Sequence, residues 1–348
     1  MNAIHVTDAR RILVLNRNHI GDCLLTTPLL RALKRGYPRA HITVSIPDSL
    51  RDLLVTNPHV DGILPRPDLN QWSEKFRFAF DIRGRDFDLI ISLQEKSKFY
   101  AWATRYAAFL RRGRPVTVAL EHPRTRCHYQ HHVSICSDRH EVYKYLDIAE
   151  RLGCPMDRNP VLELATTQTA RDRVDRLAAE QGFDADTRFI GLNPGATKDA
   201  KRWAAQRFAV VGERLSREFG LPVMVLGGPQ DQDRAELIAA GMERRPLMSA
   251  GRAGLADTAA LLERCAFLVT NDTGPMHMAV AMAVPVVALF GPTSPQKYGP
   301  FTRLKTVLRH EAPCPRCLEP CLHTITPDEC FEAARKLYTA PPVRRVLQ

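Results

Sequence analysis

No stretch of about 18 apolar residues in this 348-residue chain is free of charge, so no transmembrane helix is expected. The opening "MNAIHVTDARRILVLN" sets its basic residues directly against a short strand-like run. It lacks the apolar segment and small-residue cleavage site of a secretory leader, and a cytoplasmic protein is expected. No Arg/Lys run interleaves with aromatic residues and no RNA- or DNA-binding motif is present, so nucleic acid is not an expected partner. The nine cysteines are an odd number, which in a cytoplasmic setting argues against a disulfide framework. What is present is ample core material, 45% hydrophobic, and a length that suits two domains. Charge is weighted to the front: residues 1–165 carry 25 Lys/Arg against 18 Asp/Glu, a net +7, and the remainder 24 against 20, a net +4. A solvated basic surface is the plain reading. An anionic substrate or an anionic membrane face are the sharper ones.

Strand-like and helix-like segments alternate twice along the chain. In the first half, "RILVLN" (11–16), "HITVSI" (41–46), "VDGILP", "FDLIISLQ" (87–94) and "TVAL" read as strands. "DCLLTTPLLRALKRGYP" (22–38, with Pro28 a kink or early-turn residue), "LRDLLVTNP", "KFYAWATRYAAFLRR" and "HEVYKYLDIAERLGC" (140–154) read as helices. After the linker "CPMDRNPVLELATT", "RFIGLNPG", "PVMVLGGP", "AFLVTND" and "VPVVALFGPT" are strands, with helices between them and a terminal helix in "TPDECFEAARKLY". This alternation predicts two doubly wound parallel sheets, over 1–165 and 166–348, with ligands at the carboxyl ends of the strands and in a cleft between the sheets.

Four glycine-bearing strand exits carry chemistry. In "NDTGPMH" (271–277), Gly274 caps a helix that Pro275 opens, and the free N–H groups of that turn suit an anion. His277 is placed to donate to a phosphate oxygen, and Asp272 and Thr273 to bind sugar hydroxyls. A capped core helix with a satisfied histidine would read the same way. In "NRNHIGD" (16–22), Asp22 follows Gly21 at a helix start, where the helix dipole lowers a carboxyl pKa. Facing a cleft, it suits proton abstraction from a hydroxyl; otherwise it is an ordinary acidic helix start. "NPGATKDAKRW" (193–203) gathers Thr197, Lys198, Lys201 and Arg202, a composition for a diphosphate leaving group or a basic surface loop. In "GGPQDQD" (227–233), Asp231 suits ribose hydroxyls. The D-x-D spacings at 86–88 and 231–233 precede a strand and open a helix, and no metal is expected at either. "CPRCLEPCLH" offers Cys314, Cys317, Cys321 and His323 with a tight second pair, read as reduced thiols before zinc. The histidines between His122 and His140 lack a metal spacing.

The order of these sites resembles the ADP-heptose:lipopolysaccharide heptosyltransferases of glycosyltransferase family 9. The matching segments are "HIGDCLLTTPLLRALKRGYP", "NPGATKDAKRWAAQRFAVV", "LGGPQD", "NDTGPMHMAVAMAVPVVALFGPTSP" and "CLHTITPDE", spanning roughly residues 10 to 340. The resemblance implies a GT-B fold, two Rossmann-like domains with a terminal helix returning to the first. It also implies inverting transfer, without metal or other cofactor, of a sugar from ADP-heptose to a membrane-held lipopolysaccharide core precursor. It assigns Asp22 as base, Thr197 and Lys201 to the diphosphate, Asp231 to the ribose, and Asp272, Thr273, Gly274 and His277 to the sugar nucleotide. Gly21, Lys96 and Lys98 are candidate acceptor contacts. Two departures, "NRNHI" before Gly21 and the short cysteine-dense segment after "FGPTSPQKYGP", bear on the acceptor and the sugar. The alternatives are another nucleotide sugar and glycan acceptor, a nucleotide-sugar epimerase, and a nucleotide-sugar-binding module without catalysis.

Overall fold

The computed structural model describes residues 4–6, 8–109, 114–134, 138–311 and 321–340. Contacts divide the chain into Met1–Glu163 and Leu164–Gln348. The first unit runs β1 (Arg11–Leu15), α1 (Ile20–Leu25), α2 (Thr27–Gly36), β2 (His41–Ile46), β3 (Gly62–Pro65), α3 (Trp72–Gly84), β4 (Leu89–Ser92), α4 (Lys98–Ala108), β5 (Val116–Leu120), β6 (His131–Val133) and α5 (Glu141–Arg151). The second runs α6 (Gln168–Ala179), β7 (Phe189–Asn193), α7 (Ala205–Phe219), β8 (Val223–Val225), α8 (Gln232–Ala240), β9 (Leu247–Met248) and α9 (Leu255–Glu263). It continues with β10 (Cys265–Asn271), α10 (Gly274–Ala281), β11 (Val286–Leu289), α11 (Pro295–Tyr298), β12 (Lys305–Leu308) and α12 (Pro327–Thr339).

The two sheets have one topology. The first is ordered β3-β2-β1-β4-β5-β6 and the second β12-β11-β10-β7-β8-β9, and every pairing is parallel. Counted within each unit, both are the 3-2-1-4-5-6 order of the Rossmann fold, in which the strand order reverses between the first and fourth strands. Both units are thus Rossmann-like, the composition of the GT-B class. The central strands explain themselves: β4, β7, β10 and β11 are buried along their whole length, as apolar runs must be when helices cover both faces. The unit boundary has a local cause, because Glu163 is tied to the first unit. Its N–H donates to Thr27 Oγ1 at 3.0 Å and its carboxylate accepts from Arg31 at 2.7 Å. The apolar face of α12 (Cys330, Ala333, Ala334, Leu337) completes the second unit's core against α7 and the sheet.

The structure departs from the sequence reading in several places. The single helix expected over 22–38 is two, broken at Thr26, with Pro28 in the first turn of α2. The carbonyls around the break are met by threonine hydroxyls: Thr26 Oγ1 donates to Cys23 O at 2.6 Å and Thr27 Oγ1 to Leu24 O at 2.8 Å. Asp48–Leu53 is a 3-10 helix. Helix α3 and strands β6, β9 and β12 had no expected counterpart. The three strands, "HHV", "LM" and "KTVL", sit in polar stretches and lack the longer apolar run that marks the equally short β4, β8 and β11. Helix α3 hides because its aromatic residues point both ways.

Candidate active site

Two constellations stand at the strand-order reversals, one in each unit, and each is described by itself. In the first unit the loop leaving β1 is built on Asn16, fully buried, whose Nδ2 donates to Thr26 Oγ1 at 2.8 Å. Gln94, just past β4, donates to Asn16 O at 2.6 Å and joins the exits of the two switch-point strands. Gly21 and Asp22 are the second and third residues of α1. The Arg17 guanidinium lies among three carboxylates: Asp22 at 3.7 Å, Glu95 at 3.7 Å and Glu141 at 3.6 Å. Asp22 is 13% exposed and Glu141 3%. Lys144 also pairs with Glu141, and the fully buried Tyr145 stands against Arg17, its hydroxyl kept neutral by burial.

This environment reverses the sequence expectation for Asp22. The helix dipole argues for a lowered pKa, but burial is the largest influence and pushes the carboxyl above its ordinary value. Arg17 and His19 pull it back down, while Glu141 and Glu95 push it further up. A carboxylate so placed is a stronger base than a solvated one. Lys96 and Lys98 are exposed on the loop after β4 and at the first residue of α4, whose N-cap Ser97 accepts from Tyr100 N.

In the second unit the exits of β7 and β10 interlock through two buried asparagines. Asn193 Nδ2 donates to Thr270 Oγ1 at 2.8 Å and Thr273 Oγ1 at 3.0 Å. Asn271 Nδ2 donates to Pro194 O at 2.9 Å, and its Oδ1 accepts from Trp203 N at 3.2 Å. These bonds hold the 193–203 loop against the 271–277 loop. They bring Lys201 Nζ within 2.7 Å of Asp272 Oδ2, two residues that the sequence reading placed on different parts of a ligand. Thr273 is the N-cap of α10, and Gly274 and Pro275 its first two residues, a shift of one from expectation. No side chain caps α10; Pro275 has no N–H and Met276 N donates to Thr273 O at 3.2 Å, so the N–H of Gly274 is what this first turn offers an anion. His277, in the same turn, is 5% exposed. Thr197 is exposed on the preceding loop.

Asp231 is nearly buried, 3% exposed, at the end of the 3-10 turn before α8. Its Oδ2 accepts from Gly228 N at 3.0 Å, and its Oδ1 is buried without a hydrogen-bond partner, an acceptor in want of a hydroxyl. The carboxylate packs on Gly195, where a Cβ would fall 2.5 Å from Oδ2. Three loops, after β7, β8 and β10, are therefore locked together.

Sequence reasoning missed Arg17, Glu95 and Glu141, which converge only through the fold. It also missed the asparagines, although a signal exists: "IGLN" and "LVTN" end β7 and β10, and "LVLN" sets its asparagine one residue past β1. Of the D-x-D spacings, Asp88 serves the sheet, accepting from Arg10 N at 2.8 Å and Arg11 N at 2.9 Å. No group of three metal-ligating side chains exists among the described residues. Cys314 and Cys317 lie outside the described residues. Cys321 is buried, and Arg207 binds the His323 carbonyl at 2.8 Å.

A family model described as glycosyltransferase family 9 (heptosyltransferase) matches residues 75–324. Lipooligosaccharide heptosyltransferase 2 of Haemophilus ducreyi is 30% identical over 319 residues, covering 86% of this chain and 88% of that protein. A solved glycosyl transferase family 9 protein from Veillonella parvula superposes with a TM-score of 0.86 at 27% identity, covering 97% of this chain and 99% of that one. ADP-heptose lps heptosyltransferase II of E. coli superposes at 0.79 with 24% identity, covering 94% and 98%, a likeness of fold.

Proposed function

This chain belongs to glycosyltransferase family 9, and we propose that it moves a heptose from ADP-heptose to a hydroxyl of a lipopolysaccharide core precursor, with inversion at the anomeric carbon. The observation that carries the mechanistic part is Asp22, a carboxylate made more basic by burial at the switch point of the first sheet. Its role is to take the proton of the acceptor hydroxyl as that oxygen bonds to the anomeric carbon. The bond from that carbon to the diphosphate breaks in the same step, and ADP leaves with the electron pair. In the second unit, Lys201, Thr197 and the uncapped start of α10 with Gly274 and His277 receive the developing negative charge. The orphaned Asp231 oxygen accepts from a ribose hydroxyl, and Asp272 and Thr273 bind the sugar. Gly21, Lys96 and Lys98 contact the acceptor.

No helix among the described residues is long and apolar enough to cross a membrane. Under this reading the enzyme works in the cytoplasm and meets its lipid-linked acceptor peripherally at the inner membrane. Nucleotide release should be measured from ADP-, GDP- and UDP-sugars, with and without a core acceptor. Acceptor-dependent ADP release, nearly abolished by Asp22→Ala with donor binding intact, is the expected result. Near-normal turnover in Asp22→Ala would remove Asp22 as the base. Acceptor-independent isomerisation would replace transfer with epimerisation.

A further inference from the structure

The first unit carries a surface that the candidate site does not use. Trp72, Phe76 and Phe80 lie four residues apart along α3, and Trp102 and Tyr106 four apart along the neighbouring α4. Their rings form one chain across both helices: Trp72–Phe76 6.2 Å, Phe76–Trp102 6.1 Å, Trp102–Tyr106 5.7 Å and stacked, Tyr106–Phe80 5.5 Å. Trp72 is 70% exposed and Phe80 59%. Of the twelve exposed large hydrophobic side chains among the described residues, six fall between Leu69 and Phe109. The opposite faces of the same helices, with Phe78, Ile82, Tyr100 and Ala107, already fill the core. The outer rings tie α3 to α4, yet Trp72, Phe76, Phe80 and Trp102 keep large apolar surfaces open to solvent.

Cations rim this face. Lys75 Nζ sits 4.4 Å over the Trp72 ring and the Arg83 guanidinium 5.0 Å from the Tyr106 ring, while Arg105 is exposed on α4 next to Tyr106 in sequence. The acids of α3 are engaged, Glu74 with Arg77 and Asp81 with Arg85. The stretch "EKFRFAF" thus does interleave aromatic and basic residues, contrary to the sequence expectation, but the pattern takes shape only once two helices lie side by side.

We propose that this aromatic face docks on an anionic phospholipid surface. The proposal deepens the peripheral membrane contact of the preceding section and rests on it. Trp and Tyr have the apolar body and polar tip that settle at a lipid interface, and long basic stems reach from there to phosphate headgroups. The net +7 of residues 1–165 adds long-range attraction of the same sign.

The chain has three tryptophans, and Trp203 is fully buried. Intrinsic fluorescence therefore reports on Trp72 and Trp102. The full chain should be titrated, without donor or acceptor, with phosphatidylcholine vesicles and with vesicles also containing phosphatidylglycerol. A blue shift and co-sedimentation with the anionic vesicles, weakening with added salt, are expected. Phe76→Ser with Phe80→Ser should lower partitioning about tenfold or more, leaving transfer to a water-soluble truncated acceptor unchanged. Absence of vesicle binding, equal binding by the double variant, or self-association that the same substitutions abolish would overturn the proposal. Vesicle binding by a protein that transfers nothing would uphold this surface and sink the transferase reading alone.

Discussion

Gly195→Ala tests whether the three loops of the second unit are locked as described. The backbone at Gly195 is not left-handed, so alanine meets no conformational penalty and the added methyl acts alone. That methyl would lie 2.5 Å from Asp231 Oδ2, 2.8 Å from Cγ and 3.0 Å from Oδ1, roughly an ångström inside normal contact. The carboxylate has no easy retreat. It is buried, its own Cβ lies 2.8 Å from where a Cβ on Gly227 would be, and moving it breaks the 3.0 Å bond from Gly228 N. Overpacking of this kind costs about 1–3 kcal/mol. The lost hydrogen bond to a charged group adds about 1.5–3 kcal/mol if nothing replaces it. A combined loss of roughly 2.5–6 kcal/mol corresponds to a fall of about 5–24 °C in the second unit's melting temperature. Calorimetry on Gly195→Ala, Asp231→Ala and the double variant gives a cycle that isolates the pair. The methyl should cost far less where the carboxylate is already gone. An equal cost in both backgrounds, or none in either, would refute the packing argument. Donor affinity should follow stability in this cycle, because the displaced carboxylate is also the proposed ribose acceptor.

Three further outcomes follow from the geometry. With Asp22 as the proposed base, transfer needs that carboxylate ionised, so the rate should fall on the acid side as pH drops through its raised pKa. Arg17→Met removes the cation that holds this pKa down and should move the acid limb to higher pH, whereas Glu141→Gln removes a like charge and should move it lower. Pre-steady-state rates against pH would show either no movement, which counters the cluster's role, or opposite movements. For the Lys201–Asp272 pair, ADP titration should show Lys201→Ala weakening binding about tenfold, the scale of a charge-assisted contact, and Asp272→Asn tightening it by freeing the lysine; equal losses in both would mean the pair is only structural. Burial pushes the thiols of Cys23, Cys265 and Cys330 up to about 12. At neutral pH they should stay unmodified by a thiol reagent until the chain unfolds, while the exposed Cys127 reacts at once, as peptide mass mapping would record.

The apolar runs "RILVL", "LIIS" and "CAFLVT" read as strands buried on both faces, and the helical stretches between them imply parallel sheets. Glycine and proline mark the strand exits, and so Asp22, Lys201, Asp231 and the 271–277 loop are legible in the sequence. Two kinds of information were absent. The segments "HHV", "LM" and "KTVL" lie in polar stretches with no apolar run to read, so β6, β9 and β12 are defined by the strand each pairs with. Electrostatics was misjudged for the same underlying reason. The dipole of α1 is a local property that sequence reveals, but the burial of Asp22 and the approach of Arg17, Glu95 and Glu141 depend on segments up to 124 positions apart. Sequence by itself therefore determined which residues stand at the ends of which strands. Only the tertiary structure decided what each one meets there, because desolvation and charge–charge distance are properties of the packed chain.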